Sequence, residues 1–428
     1  MKQMTLVLAI AAALMSGTAT ALVQPEEVFS WQELDFAWPS KEAEDEAVKN
    51  GEYIRENNLP LGIDAWKDKL FITVPRWKAG VASSLNYIDL RTANKSSPLT
   101  PYPSWEANKL PKQGQQPPEN QIVSVFRSFV DTCDRLWVME TGLADILGSP
   151  HQVSPPAIVI FDLNTDKVLR RYLLKPEDIK GDDSFFANIV VDLQPGRCDE
   201  AFAYIPDLGG YGIVVYSFKD DDSWRIKHNF FHFDPLQGDM TVGGVNFQWT
   251  DGVFGIALGN PNENGDRTVY FHPLASTMEF SVNSHALKNR TLATDPHSYD
   301  LYKIEGTKGP NSQTSESTID PKTEVMFFTQ LQKDGTACWN VKTPLEPSNV
   351  GMVAEDTERM IFTNDITIDS DRNLWMLSDR MPEFIYRRLD PNQINYRIFK
   401  VPVDEAIRGT PCDPMYQQST TLRNAQQL

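Results

Sequence analysis

Apolar and polar residues alternate along this chain in short runs, and small polar turns separate the runs. One arrangement recurs: an alternating segment ending in Asp or Gly, a brief turn, then a second segment rich in aromatics. Leu61-Gly62-Ile63-Asp64 precedes Lys69-Leu70-Phe71-Ile72, and Ser128-Phe129-Val130-Asp131 precedes Arg135-Leu136-Trp137-Val138. The same pairing links residues 189–192 with 201–204, 317–320 with 325–328, and 366–369 with 374–377. A period of two on both arms, with Asp, Gly, Lys or Asn between them, predicts β-hairpins.

The closing residues Asp64, Asp131, Asp192, Asp320 and Asp369 stand 67, 61, 128 and 49 positions apart. The long interval holds a weaker copy, Phe254-Gly255-Ile256-Ala257-Leu258-Gly259 followed after a polar turn by Val269-Tyr270-Phe271, and Gly259 divides it into 67 and 61. Six units of about sixty residues, each long enough for several strands, predict an all-β, six-bladed β-propeller. An irregular β-sandwich with coincidental hairpins would not keep so regular an interval. A propeller closes when a strand from one terminus completes the blade begun at the other. Residues 29–36 alternate and precede the first unit, so an N-terminal strand there is expected to close the last blade. Ser40, the early acids of residues 41–50 and then Gly51 predict a short capped helix.

Composition narrows the class. The 428 residues are 41% hydrophobic and 23% charged, which is globular, and 29 Pro and 24 Gly punctuate the chain without period. The formal net charge of −18 argues against nucleic acid and anionic membrane surfaces, since phosphate binding needs clustered Lys and Arg. Met1-Lys2-Gln3, the apolar run 6–15 and Ala19-Thr20-Ala21 read as a secretory signal at 1–21, leaving one propeller domain over 22–428 and a secreted, extracellular protein. The apolar run is too short to span a bilayer.

Secretion favours disulfides, and four widely spaced cysteines allow three connectivities. On the propeller, Cys133 and Cys198 occupy equivalent turns of neighbouring units; Cys338 belongs to the fifth unit and Cys412 follows a helix-like stretch at 404–408. Pairs Cys133–Cys198 and Cys338–Cys412 are therefore expected. Asn94 and Asn289 head glycosylation sequons.

A propeller binds ligands where its innermost strands converge, and catalytic signatures there are sparse. The six histidines (His151, His228, His232, His272, His285, His297) fall on no innermost-strand motif, and no nucleophile elbow, phosphate loop or dinucleotide fingerprint occurs. The inner segments instead carry Phe126, Asn188, Phe254, Gln313, Glu316, Phe362, Asn364, Asp365, Asp379, Arg380 and Met381. Taken singly, each Phe suits packing between blades, and Asp365 or Asp379 suits turn capping or an ion pair with Arg380. Taken together, aromatic walls with one or two carboxylates suit a small aromatic cation. Asn188, Asp365 and Glu316 also offer oxygens of the kind that hold Ca²⁺ in a lactonase-like propeller, a minor alternative. No cofactor or resident metal is expected, and a monomer is.

Val74-Pro75-Arg76-Trp77-Lys78-Ala79-Gly80-Val81, Cys133-Asp134-Arg135-Leu136-Trp137-Val138, the 254–259 motif, Ala337-Cys338-Trp339-Asn340 and Leu374-Trp375-Met376-Leu377-Ser378-Asp379-Arg380 together resemble the insect yellow / major royal jelly protein family. The resemblance runs from about residue 29 to 412. It implies a secreted six-bladed propeller, in a family that includes salivary amine binders, pigmentation and cuticle proteins credited with dopachrome conversion, and nutritive proteins. It carries the amine-binding positions onto Phe126, Phe362, Asn364, Asp379 and Met381. Against the salivary pattern Asp379 replaces an amide, Met381 a ring and Phe126 a tyrosine, which is closer to the yellow branch. The implied role is engagement of a catechol, indole or dopachrome-like molecule in melanin pigmentation or cuticle maturation. Asp379 or Glu316 would serve as acid/base, and Arg380 or Asn364 would steady ring oxygens. A non-catalytic amine binder and a structural or storage protein are the alternatives.

Overall fold

The computed structural model describes residues 23–111, 118 and 120–415; the expected signal segment lies outside them. Six four-stranded antiparallel sheets form the blades. Their innermost strands are Ile63–Trp66, Val125–Val130, Val190–Asp192, Val253–Leu258, Ser317–Asp320 and Thr363–Ile368. Each contacts the next in chain order, and the sixth contacts the first, so the sheets close into a ring. The unit count read from the hairpins is the blade count.

The second strands of the blades, and the third strands of several, are covered on both faces. They therefore replace alternation with continuous burial, as in Arg135–Glu140, Gly212–Ser217 and Val325–Gln330. The recurring acids have a physical role in the turns. The Asp131 carboxylate accepts from the Cys133 and Arg135 amides and from Trp137 Nε1 at 2.7 Å. Asp369 does the same for the Asp371 and Asn373 amides and for Trp375 Nε1 at 2.8 Å. One carboxylate thus caps the hairpin and seats the aromatic residue of the second strand. The first unit departs from this. Asp64 lies inside its strand, and its carboxylate accepts from the Val130 amide (2.5 Å) and Thr367 Oγ1 (3.2 Å), linking the first blade to the second and sixth.

The closing strand is Glu26–Trp31, paired with Tyr396–Pro402, rather than residues 29–36. The alternation is genuine, since Phe29, Trp31, Leu34 and Phe36 are all buried, but the chain changes partner midway. After Trp31 it leaves the last blade, and Phe36 bridges Leu99 of the first. The helix is Lys41–Asn50 as expected, with Ser40 Oγ accepting from the Ala43 amide and Gly51 left-handed at φ 73°. The C-terminal helical turn is Val403–Ala406, starting one residue before the expected 404–408. Disulfides join Cys133 to Cys198 and Cys338 to Cys412, tying the second blade to the third and the fifth to the C-terminal segment. Among the described residues no helix is long and apolar enough to cross a membrane.

Candidate functional site

The entry positions of the six innermost strands are Gly62, Arg127, Asn188, Gly255, Glu316 and Asp365. Around the axis they form a polar cluster centred on Arg127, which is 1% exposed. Its Nη1 pairs with Glu316 Oε2 and, at 2.8 Å, with Asp365 Oδ1. Its Nη2 donates to the Asn364 carbonyl at 2.7 Å and to Asn364 Oδ1 at 3.1 Å. Asn188 Nδ2 donates to Glu316 Oε2 at 2.6 Å and to the Phe254 carbonyl at 2.9 Å. Backbone amides take up further carboxylate oxygens: Ile63 and Ile366 on Asp365, and Ser317 on Glu316. Gly255 lacks a side chain because its Cβ would lie 2.3 Å from His272 Nε2.

Burial opposes ionisation of both acids and pushes their carboxyls above the usual range, even with the guanidinium between them. Asp379 lies behind Asn364, accepting from Asn364 Nδ2 at 2.6 Å and from the Met381 amide at 3.0 Å. Burial pushes its carboxyl up to about 8, so at neutral pH it is mostly neutral and does not supply the charge expected of it.

Above this cluster opens a cavity of about 310 Å³. The Phe254 ring lies between the two regions: it lines the cavity and covers the guanidinium, 4.6 Å from ring centroid to Arg127 Cζ. Phe126 meets Trp77 and Phe185 edge-on, each at 4.9 Å between centroids. Trp249 stands edge-on to Phe362 at 5.8 Å and donates from Nε1 to the Tyr386 hydroxyl at 2.7 Å. Phe362 holds a left-handed backbone at φ 54°, a costly conformation for a bulky residue, and its ring forms part of the wall. Leu61, Ala187, Leu208, Leu274 and Met381 complete the apolar surface.

The cavity wall carries one carboxylate, Asp251, between Trp249 and the innermost strand of the fourth blade. Its carbonyl accepts from the Ala275 amide, and among the described residues no hydrogen bond or ion pair engages its carboxylate. It is accessible in part through the cavity while otherwise enclosed by protein, and burial alone raises its carboxyl to about 6. Among the described residues no Lys, Arg or His lines the cavity.

Five expected residues therefore share one cavity: Phe126, Phe254, Phe362, Asn364 and Met381. Asn188, Glu316 and Asp365 converge below it on Arg127. The oxygens considered for a calcium site thus surround a guanidinium, and among the described residues no His, Cys, Asp and Glu group has the arrangement to hold a metal. Asp379 and Glu316, expected as acid/base, are committed to the packed interior and do not open on the cavity. Arg380 turns away altogether, to Glu383 Oε1 (3.4 Å) and the Glu358 carbonyl (3.0 Å). Gln313 reaches the Gln237 carbonyl at 3.0 Å instead of the axis. The sequence reading missed Arg127, Asp251, Trp77, Phe185 and Trp249. Arg127 had a signal, since it holds the same place before its hairpin acid as Asn188, Glu316 and Asp365 hold before theirs. The other four sit in loops outside the repeating hairpins. Asn94 and Asn289 are exposed.

The sequence profile of the major royal jelly protein family matches residues 123–412. A dopaminechrome tautomerase of Drosophila melanogaster is 37% identical over 408 residues, covering 94% of this chain and 87% of that protein. Protein yellow of Drosophila subobscura is 40% identical over 405 residues, covering 92% and 70%. Among solved structures, a luciferin-regenerating enzyme superposes with a TM-score of 0.47 at 10% identity, over 85% of this chain and 94% of that one.

Proposed function

The chain belongs to the major royal jelly protein family, and we propose that it is a secreted, yellow-type pigmentation protein that tautomerises an aminochrome in the channel cavity. The observation that carries this reading is an aromatic-walled cavity with a single unpartnered carboxylate in its wall. Its volume lies at the small end of the range for ligand sites, which suits a bicyclic indole-sized molecule stacked on Phe126, Phe254 or Phe362. The likeness to a dopaminechrome tautomerase supports the same chemistry. The two disulfides support an oxidising compartment.

Tautomerisation of an aminochrome needs no cofactor. Two ring C–H bonds break in turn, their electron pairs enter the quinone, and both quinone oxygens take up protons, so substrate and dihydroxyindole product are isomers. A base open to the substrate suffices. Asp251 has that position: it is ionised at neutral pH, unpaired and in the wall. Asp379 holds Asn364 of the wall in place, and the Asp251 oxygens remain free to take a proton and return it.

The test is the decay rate of a freshly oxidised aminochrome with wild type, Asp251→Asn and Phe362→Ala. Wild type is expected to shorten the decay well beyond the unaided rate. Asp251→Asn should lose about a hundredfold or more of that acceleration, the scale of a general base. Phe362→Ala should weaken substrate binding with a smaller effect on turnover. Equal rates for wild type and Asp251→Asn would remove the role. The same unpaired carboxylate favours a second reading, a non-catalytic binder of aromatic amines. Binding of dopamine or serotonin without any change in aminochrome decay would select it.

A further inference from the structure

We propose that Asp251 also reads ligand charge and excludes aromatics that carry their own carboxylate. On this basis the cavity takes amine-derived catechols and aminochromes in preference to their amino-acid-derived counterparts. The inference rests on the function proposed above and names its substrate class.

The argument is one of missing counter-ions. A carboxylated ligand would place its negative charge in a mostly apolar cavity that already contains the Asp251 carboxylate and no lysine, arginine or histidine. The buried cation below the cavity, Arg127, is covered by the Phe254 ring. Both of its terminal nitrogens are already committed to Glu316, Asp365 and Asn364. The one amide in the wall is engaged too, with Asn364 Oδ1 accepting from Arg127 and Nδ2 donating to Asp379. A second carboxylate would thus be desolvated beside a like charge, and like-charge juxtaposition is how sites reject a near-isostere. An ammonium, or the electron-poor nitrogen of an aminochrome, gains instead from lying between aromatic faces and an ionised acid.

The discriminating ligands are dopamine, L-dopa and L-dopa methyl ester, which share the catechol ring and differ in the carboxylate. Binding can be followed by quenching of the cavity tryptophans Trp77 and Trp249. Wild type is expected to bind dopamine and the methyl ester at least about tenfold more tightly than L-dopa. Asp251→Asn should bring the three within about threefold, chiefly by weakening dopamine and the ester, while Asp251→Glu should keep the wild-type order. Equal affinity of wild type for L-dopa and its ester overturns the charge inference, as does an undiminished gap in Asp251→Asn; both leave the proposed function standing. If none of the three ligands binds and aminochrome decay is unaltered, the functional reading falls and this inference with it.

Discussion

Two adjoining regions at the centre of the propeller handle charge in opposite ways. Below Phe254, the Arg127 cluster brings one cation, two carboxyls and two amides into mutual contact, and the principal charged groups find partners. Above Phe254, Asp251 stands among aromatic rings, its carboxylate without a partner among the described residues. Both are enclosed by protein, so burial alone does not distinguish the acids of the two regions. Available bonding capacity does. The oxygens of Glu316, Asp365 and Asp379 already accept from amides or a guanidinium away from the cavity, whereas those of Asp251 face it and accept from no group among the described residues.

The largest expected effect breaks the lower region. Arg127→Met leaves Glu316 and Asp365 buried without their cation, and losing one partner of a buried pair costs about 3–5 kcal/mol. Urea unfolding should show that loss. Adding Glu316→Gln to Arg127→Met should recover part of it, because one of the two stranded acids is then gone. If Arg127→Met unfolds at the wild-type midpoint, the cluster is not what holds the inner strands together.

A smaller effect sharpens the comparison through pH. Asp379 is raised to about 8 and Asp64 to about 7, both chiefly by burial, and Glu316 and Asp365 are raised as well. An acid whose folded pKa lies above its unfolded value binds more protons when folded, so stability falls as pH rises between the two. Melting temperature should therefore decline from pH 6.5 to 8.5. A single such proton contributes at most about 1.4 kcal/mol per pH unit. Asp379→Asn removes one of these groups and should flatten the decline; an unchanged slope would mean that Asp379 is already ionised in the folded protein at pH 6.5.

The contrast between the regions also explains what could be read from the chain alone. Blade number follows from hairpin acids such as Asp131 and Asp369, whose carboxylates cap turns and bind Trp137 and Trp375 locally, so the signal is contiguous in sequence. Disulfide partners followed once those turns were aligned. The closing strand was displaced because Phe29 to Phe36 alternates throughout while its partner changes after Trp31. At the site, the inner-strand residues Phe126, Phe254 and Asn364 were legible because they share the repeat. Asp251 and Trp249 were not: they come from the connection between the third and fourth blades, where no period constrains the chain. Nor does sequence reveal that Asp379 is occupied by Asn364 and the Met381 amide while Asp251 is free; bonding capacity is settled only when side chains from different blades meet.

The smallest expected effect on stability is the sharpest test of that distinction. Asp251→Asn should change unfolding free energy by less than about 0.5 kcal/mol, or stabilise slightly. It removes no hydrogen bond from the carboxylate and relieves the cost of enclosing a charge beside apolar walls. Asp365→Asn, an identical change of functional group, should destabilise by about 1.5 kcal/mol or more. It weakens an ion pair with Arg127 and puts amide hydrogens against one of the two backbone amides, Ile63 or Ile366, that now donate to separate carboxylate oxygens. Measured side by side in urea, the two substitutions differ in bonding while sharing their chemistry. Equal destabilisation would show that Asp251 has structural partners after all, which would withdraw it from both catalysis and charge selection.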